Sequence, residues 1–140
     1  MLYECPNAEQ IKETYNQYIK AFQSGEWEKV REYVANNVYF YWGTSCPPLV
    51  GKDAFIDFFS TAAKYWKEKP VPENIDVTVP VLRAWINNTI EVHTDWENSP
   101  FEVFGMQPKA GDTYNPQGYV NYVFNEDGQI AIIIDCDYAH

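Results

Sequence analysis

The sequence predicts an α+β domain, with three helices in its first half packed on a curved, mainly antiparallel sheet supplied by its second half. Three observations predict it. Apolar residues recur at helical spacing through the first half and alternate at strand spacing beyond Pro70. The strand-like runs are separated by short turn signals, as hairpins require. The helices precede the strands instead of alternating with them, which excludes a parallel α/β arrangement.

Ile11, Tyr15, Tyr18, Ile19 and Phe22 place one apolar face on a helix over residues 8–23, and Ser24-Gly25 breaks it. A second helix over 26–35 carries Trp27, Val30, Tyr33 and Val34 on one side. Asn36-Asn37 is expected to end it, because asparagine tolerates left-handed backbone. Val38 to Trp42 is short and β-prone, and Pro47-Pro48 forces a loop. A third helix is expected over 52–67, with Ala54, Phe55, Phe58, Phe59, Ala62 and Trp66 as its buried stripe and Pro70 and Pro72 as its stop. Ile75, Val77, Val79 and Val81 then alternate with polar residues, and Pro80 marks an edge or a bulge. Asn87-Asn88 reads as a hairpin turn before the strand Ile90 to Trp96. Phe101 to Phe104 is a candidate short strand, and residues 105–118 read as a loop. Tyr119 to Phe124 and Gln129 to Tyr138 flank the turn Asn125-Glu126-Asp127-Gly128. The last strand is apolar on both faces, with Ala131 and Ile133 on one and Ile130, Ile132 and Ile134 on the other. The helices cover only one face of the sheet, so a homodimer through the other is expected.

A length of 140 residues fits a single domain spanning 1–140. With 46% hydrophobic residues, a core forms without disulfides or metal. The formal charge of −10, with no local Lys/Arg cluster, argues against a nucleic-acid partner and against an anionic membrane surface. Cys5, Cys46 and Cys136 are odd in number and widely spaced, so neither a disulfide framework nor a zinc site is expected. No signal-peptide pattern and no membrane-length apolar run is present, and a cytoplasmic setting is the default. No phosphate loop, nucleophile elbow or metal-ligand spacing is found, so no cofactor is expected. Aromatics at 17% serve either packing or a pocket for a small apolar or aromatic ligand.

Tyr18-Ile19, Gly25-Glu26, the segment Pro47-Pro48-Leu49-Val50-Gly51-Lys52-Asp53-Ala54 and the closing hairpin Phe124 to Ile130 occur in an order that resembles the nuclear-transport-factor-two-like superfamily. This resemblance implies a cone-shaped barrel with a cavity at its open end. Within the superfamily, the ketosteroid isomerase pattern is matched at Tyr18, an oxyanion-holding tyrosine. Its general-base Asp would fall near Trp42 and its second acid near Val120, and both are absent. The limonene epoxide hydrolase pattern fits further. His93-Thr94-Asp95 is similar to its Arg-x-Asp pair, Asp135 has the spacing of its second Asp, and Tyr41 matches its Tyr. Gly43 replaces its Asn. SnoaL-like polyketide cyclases also place an acid/base Asp where Asp135 stands.

The expected site follows from these matches. His93 and Asp95 are two apart on a strand and share a face. Asp135 has the parity of Ala131 and Ile133, and a carboxylate among isoleucines is costly to desolvate unless it is partnered. Asp135 would deprotonate a water or an acidic carbon, Asp95 would protonate the leaving oxygen, and His93 would bridge them. Tyr18, Tyr41, Trp42, Phe58 and Tyr122 would line the pocket. Glu91, His93, Asp95 and Glu97 also read as the solvated face of an amphipathic strand, with Ile90, Val92, Thr94 and Trp96 inward. Two functions follow. One is a cofactor-independent cyclase, isomerase, dehydratase or epoxide hydrolase, and the other is a non-catalytic carrier of a small molecule.

Overall fold

The computed structural model describes residues 6–42, 47–93 and 109–139, with side chains as far as Asp135. Helix α1 (Ala8–Gln23) begins at a capping box. The Asn7 side chain accepts from the Gln10 N–H at 2.9 Å, and the Gln10 side chain accepts from the Asn7 N–H at 3.0 Å. Two otherwise orphaned donors are thereby satisfied. The five apolar residues expected on its inner face are all buried.

Helix α2 (Trp27–Tyr33) ends two residues earlier than its expected limit. Val34 and Ala35 already belong to strand β1 (Val34–Tyr41), where both are buried, and Val34 lies opposite Ile130 of the last strand. A β-branched residue with a strand partner gains more from the ladder than from one further helical turn. Asn36 and Asn37 sit within β1 at a register shift, so they bend a strand and do not end a helix.

Strand β2 (Leu49–Val50) precedes helix α3 (Lys52–Ala62). Gly51 between them has φ 97°, which a glycine adopts at little cost, and its N–H donates to Val38 O at 2.8 Å. The helix buries Phe55, Ile56, Phe59 and Ala62, while Ala54 is exposed. It stops five residues before the expected end at 67. Tyr65 N–H donates to Ala62 O in a closing turn, and Trp66 opens strand β3 (Trp66–Thr78). Pairing with strand β4 (Val81–Val92) runs from Trp66 opposite Val92 to Thr78 opposite Val81, and this long ladder overrides the local helical spacing. Pro70 and Pro72 lie inside β3, an edge strand, where a missing N–H can face away from the ladder. Asn87-Asn88 is no turn. Both residues lie within β4, and the hairpin turn falls at Val79-Pro80.

The stretch expected as a loop to residue 118 holds strand β5 (Thr113–Tyr114) and the start of strand β6 (Gln117–Phe124). The Asn125–Gly128 turn then leads to strand β7 (Ile130–Ala139), as expected. The Asn125 carboxamide accepts from the N–H groups of Asp127 and Gln129, both at 3.0 Å. The candidate strand at Phe101 to Phe104 and the end of the strand expected to reach Trp96 lie outside the described residues.

The strands run in the order β2-β1-β7-β6-β4-β3, with β5 paired to β4. All pairings are antiparallel except β1 with β7, so the sheet is mixed, and its curved surface stays unclosed, with β2 and β3 at the ends of the order. The three helices pack against it. A register shift near the start of β7 corrects the simple alternation. Ile130 lies opposite Phe124 and Ile133 opposite Tyr122, and all four are buried. Ile130 therefore shares the inner face with Ile133, while Ile132, 37% exposed, turns outward.

Replacing Asn7 with Ala removes one half of the capping box. Chemical denaturation is expected to show a loss of about 1 kcal/mol with an unchanged denaturant slope.

Candidate functional site

Strand alternation decides which polar groups reach the concave face. On β3 the inward residues are Trp66, Glu68 and Pro70, while Lys67 and Lys69 are exposed. On β4 they are Ile86, Asn88 and Ile90. Glu68 is held from two sides. Its Oε1 accepts from Asn88 Nδ2 at 2.8 Å and its Oε2 from Trp66 Nε1 at 3.3 Å. Asn88 is 6% exposed, and its Oδ1 is buried with no hydrogen bond from the described residues. On β7, Asp135 stands opposite the buried Val120, hence on the inner face, and its Oδ1 is buried.

Three buried phenols cluster in the interior, and one of them, Tyr18, is near both carboxylates. Tyr15 and Tyr18 project from α1 and Tyr122 from β6. Their ring centroids are 4.7 Å apart for Tyr15 with Tyr122 and 6.1 Å for Tyr18 with Tyr122. Tyr15 Oη donates to Tyr122 Oη at 3.3 Å. Burial pushes the Tyr15 phenol well above its ordinary value, and the bond to Tyr122 offsets this only in part. Burial also raises Tyr18, and the charges of Tyr15, Glu68 and Asp135 add to the rise. Tyr122 is raised by burial first, then by its tyrosine neighbours and by Asp135. All three phenols are therefore neutral at physiological pH, and the carboxylates of this face are Glu68 and Asp135.

A cleft of about 230 Å³ opens beside Glu68. Phe22, Trp27, Phe59 and Trp66 form its walls, Gln23 to Gly25 close one side, and Lys67 and His93 stand with Glu68 along the rest of the lining. Phe22 meets Trp27 and Phe59 edge to face, with centroids at 5.2 and 5.0 Å. These contacts fix the wall before any ligand arrives.

The residues expected at the site separate into groups. Tyr18 and Tyr122 meet in the interior near Asp135. Trp42 and Phe58 contact one another at 4.9 Å, with Phe40 and Phe59 packed beside them. Tyr41 follows the inward Phe40 along β1, so it lies on the outer face. None of these five lines the cleft. His93 is exposed at its rim, with its backbone N–H donating to Tyr65 O at 2.7 Å. Asp95 lies outside the described residues.

The expected bridge from His93 to Asp135 is not formed. Asp135 is level with Val120, and Val120 with Ala84, whereas His93 is nine residues further along that chain direction. At about 3.3 Å per residue this is about 30 Å of strand. Glu68, Asn88 and the cleft aromatics were missed by the sequence reading. The signal for Glu68 was present in Trp66-x-Glu68-x-Pro70, hidden because 52–67 read as one helix. Among the described residues no group of three or more His, Cys, Asp or Glu is placed to hold a metal ion. No helix among them is long and apolar enough to cross a membrane.

Comparison with known proteins places this geometry. The family model described as a SnoaL-like domain matches residues 11–105. Among solved structures, a candidate polyketide cyclase from Xanthomonas campestris pv. campestris superposes with a TM-score of 0.72 at 22% identity, over 96% of this chain and 93% of that one. A candidate SnoaL-like polyketide cyclase from Jannaschia sp. CCS1 gives 0.74 at 15% identity, over 98% and 91%. An LEH-like epoxide hydrolase from M. tuberculosis gives 0.69 at 10% identity, over 96% and 86%. At these identities the likeness is one of fold. No curated protein matches the sequence.

The raised phenols set an alkaline limit. Their folded values lie above the unfolded value of 10.0, so their contribution to stability is complete below about pH 10 and declines as pH rises beyond it. Spectrophotometric titration should show Tyr15, Tyr18 and Tyr122 ionising only together with unfolding. Tyr18→Phe should reduce the number of late-titrating phenols by one.

Proposed function

The chain belongs to the SnoaL-like domain family, and on that premise we propose that it is a cofactor-independent acid–base enzyme acting on a small, largely apolar molecule. The reaction is of the cyclase, isomerase, dehydratase or epoxide hydrolase type. One observation carries the reading: a carboxylate, Asp135, is set on the apolar inner face beside phenols that stay protonated. Such a pair divides the work of proton transfer. Asp135 accepts a proton from water or from an acidic carbon. Tyr18 or Tyr122 donates a hydrogen bond to the oxygen where negative charge develops, in a setting already desolvated. The fold neighbours include proteins named for cyclisation and for epoxide hydrolysis, which supports the same class of chemistry.

A second reading, a non-catalytic carrier, is favoured by one feature. Among the described residues the cleft lining includes Glu68 but not Asp135. For either reading we infer a homodimer, formed through the outer sheet face. Tyr39, Tyr119 and Ile132 are exposed there, Tyr39 lies opposite Ile132, and Arg83 stacks over Tyr119 at 3.8 Å. Sedimentation at micromolar concentration should give twice the 16.3 kDa chain mass, and a species of single mass would remove the dimer.

Asp135→Asn keeps the shape of the side chain and removes the proton acceptor. On a panel of terpenoid epoxides and cyclisable β-dicarbonyl compounds, any turnover of the parent protein should fall by about a hundredfold or more, with an unchanged melting temperature. Full activity in the Asn variant would leave the carrier reading in its place.

A further inference from the structure

We propose that the cleft between the ends of α1 and α3 and the start of β3 binds an organic cation, an ammonium group carried on a compact apolar body. Binding at this cleft does not depend on turnover at Asp135, so the inference stands apart from the acid–base reading.

Three independent features of the cleft favour positive charge. The first is Glu68, the carboxylate in its lining. It is oriented by Asn88 Nδ2 at 2.8 Å and Trp66 Nε1 at 3.3 Å, so it pays little ordering cost when a ligand arrives. The second is the wall itself. Phe22, Trp27, Phe59 and Trp66 surround the space, and aromatic faces attract cations through their quadrupoles, tryptophan most strongly. The third is the backbone. Helix α1 supplies its last residues and the Ser24 cap to the lining, and α3 supplies its cap residue Ala63. Two helices of 16 and 11 residues thus end beside one small volume; capping N–H groups take up their last carbonyls in part, and the negative ends of the two macrodipoles add to the field there.

The opposing charges are peripheral. Lys67 and His93 belong to the lining but stand exposed at its rim, where water screens them. The formal charge of −10 adds a long-range field that draws cations and repels anions. A volume of about 230 Å³ suits a trimethylammonium or an aryl-alkylammonium group. An anionic ligand would meet Glu68 and both helix ends. A neutral apolar one would fill the wall but gain nothing from the carboxylate or from the helix ends.

Calorimetric titration and tryptophan fluorescence with benzyltrimethylammonium, its neutral carbon isostere neopentylbenzene, and phenylacetate test this directly. The cation is expected to bind at least about tenfold tighter than the isostere, with phenylacetate weakest, and to weaken with added salt. Glu68→Gln should cost about tenfold or more in cation affinity while leaving the isostere unaffected. Glu126→Gln, which removes an equal charge from the exposed turn between β6 and β7, should change nothing. Lys67→Glu should tighten the cation. Melting curves confirm that each variant is folded. Equal affinity for cation and isostere, unchanged affinity in both Glu68→Gln and Lys67→Glu, or no binding of the cation at millimolar concentration overturns the proposal.

Discussion

The pairing of β7 with two neighbours of opposite sense is the constraint on which the rest of the structure depends. It is antiparallel to β6 and parallel to β1, so it joins the strands of the first half of the chain to those of the second. Side chains on a strand alternate, and a slip of one residue exchanges its faces. The register of β7 is set by the Asn125 turn and by the shift beside Phe124. Together they bring Ile130, Ile133 and Asp135 to the inside. Val34 and Phe40 of β1 pair with Ile130 and Ile133, so the same register also places α3, which packs on β1, and α2, which leads directly into it. The core and the site are consequences of one alignment.

The concave face then poses an electrostatic problem. It holds carboxylates and phenols in a medium that penalises charge. The phenols answer it by remaining neutral, and Glu68 answers it by taking two hydrogen bonds from Asn88 and Trp66. This division leaves a surface with fixed proton donors and fixed acceptors at different places. Asp135 lies toward the interior tyrosines and Glu68 toward the cleft, while Tyr18 feels the charge of both.

How much of this was legible in the sequence varied with the range of the interaction. Helix α1 and the β6–β7 hairpin depend on contacts near in sequence, and their limits were readable to within two residues. The end of α3 was not, because Trp66 fits both the helical stripe of Phe55 and Phe59 and the strand parity of Glu68. Only the ladder to Val92, distant in sequence, decides between them. Asn87-Asn88 failed for the same reason, since a turn signal yields when both flanking strands continue through it. At the site, the inward parity of Asp135 was readable from its apolar neighbours. The partners of Asp135 were not, because the level of one strand against another two strands away depends on every intervening register. The family resemblance supplied the fold, and the family match and the shared architecture agree with it.

The position of β7 carries a further consequence for the order in which the molecule assembles. During synthesis α1, α2, β1, β2 and α3 leave the ribosome long before Ile130 does, yet β1 has no partner on its inner side until β7 arrives. The apolar edge of β1, with Val34, Val38 and Phe40, must wait through about ninety residues of further elongation, several seconds or more at typical rates. Strand exchange with a second chain is the obvious hazard in that interval. The exposed pair Asn36-Asn37 at the bend of β1, together with the two-residue cover that β2 lays over its other edge, gives the waiting strand a poor template for such pairing.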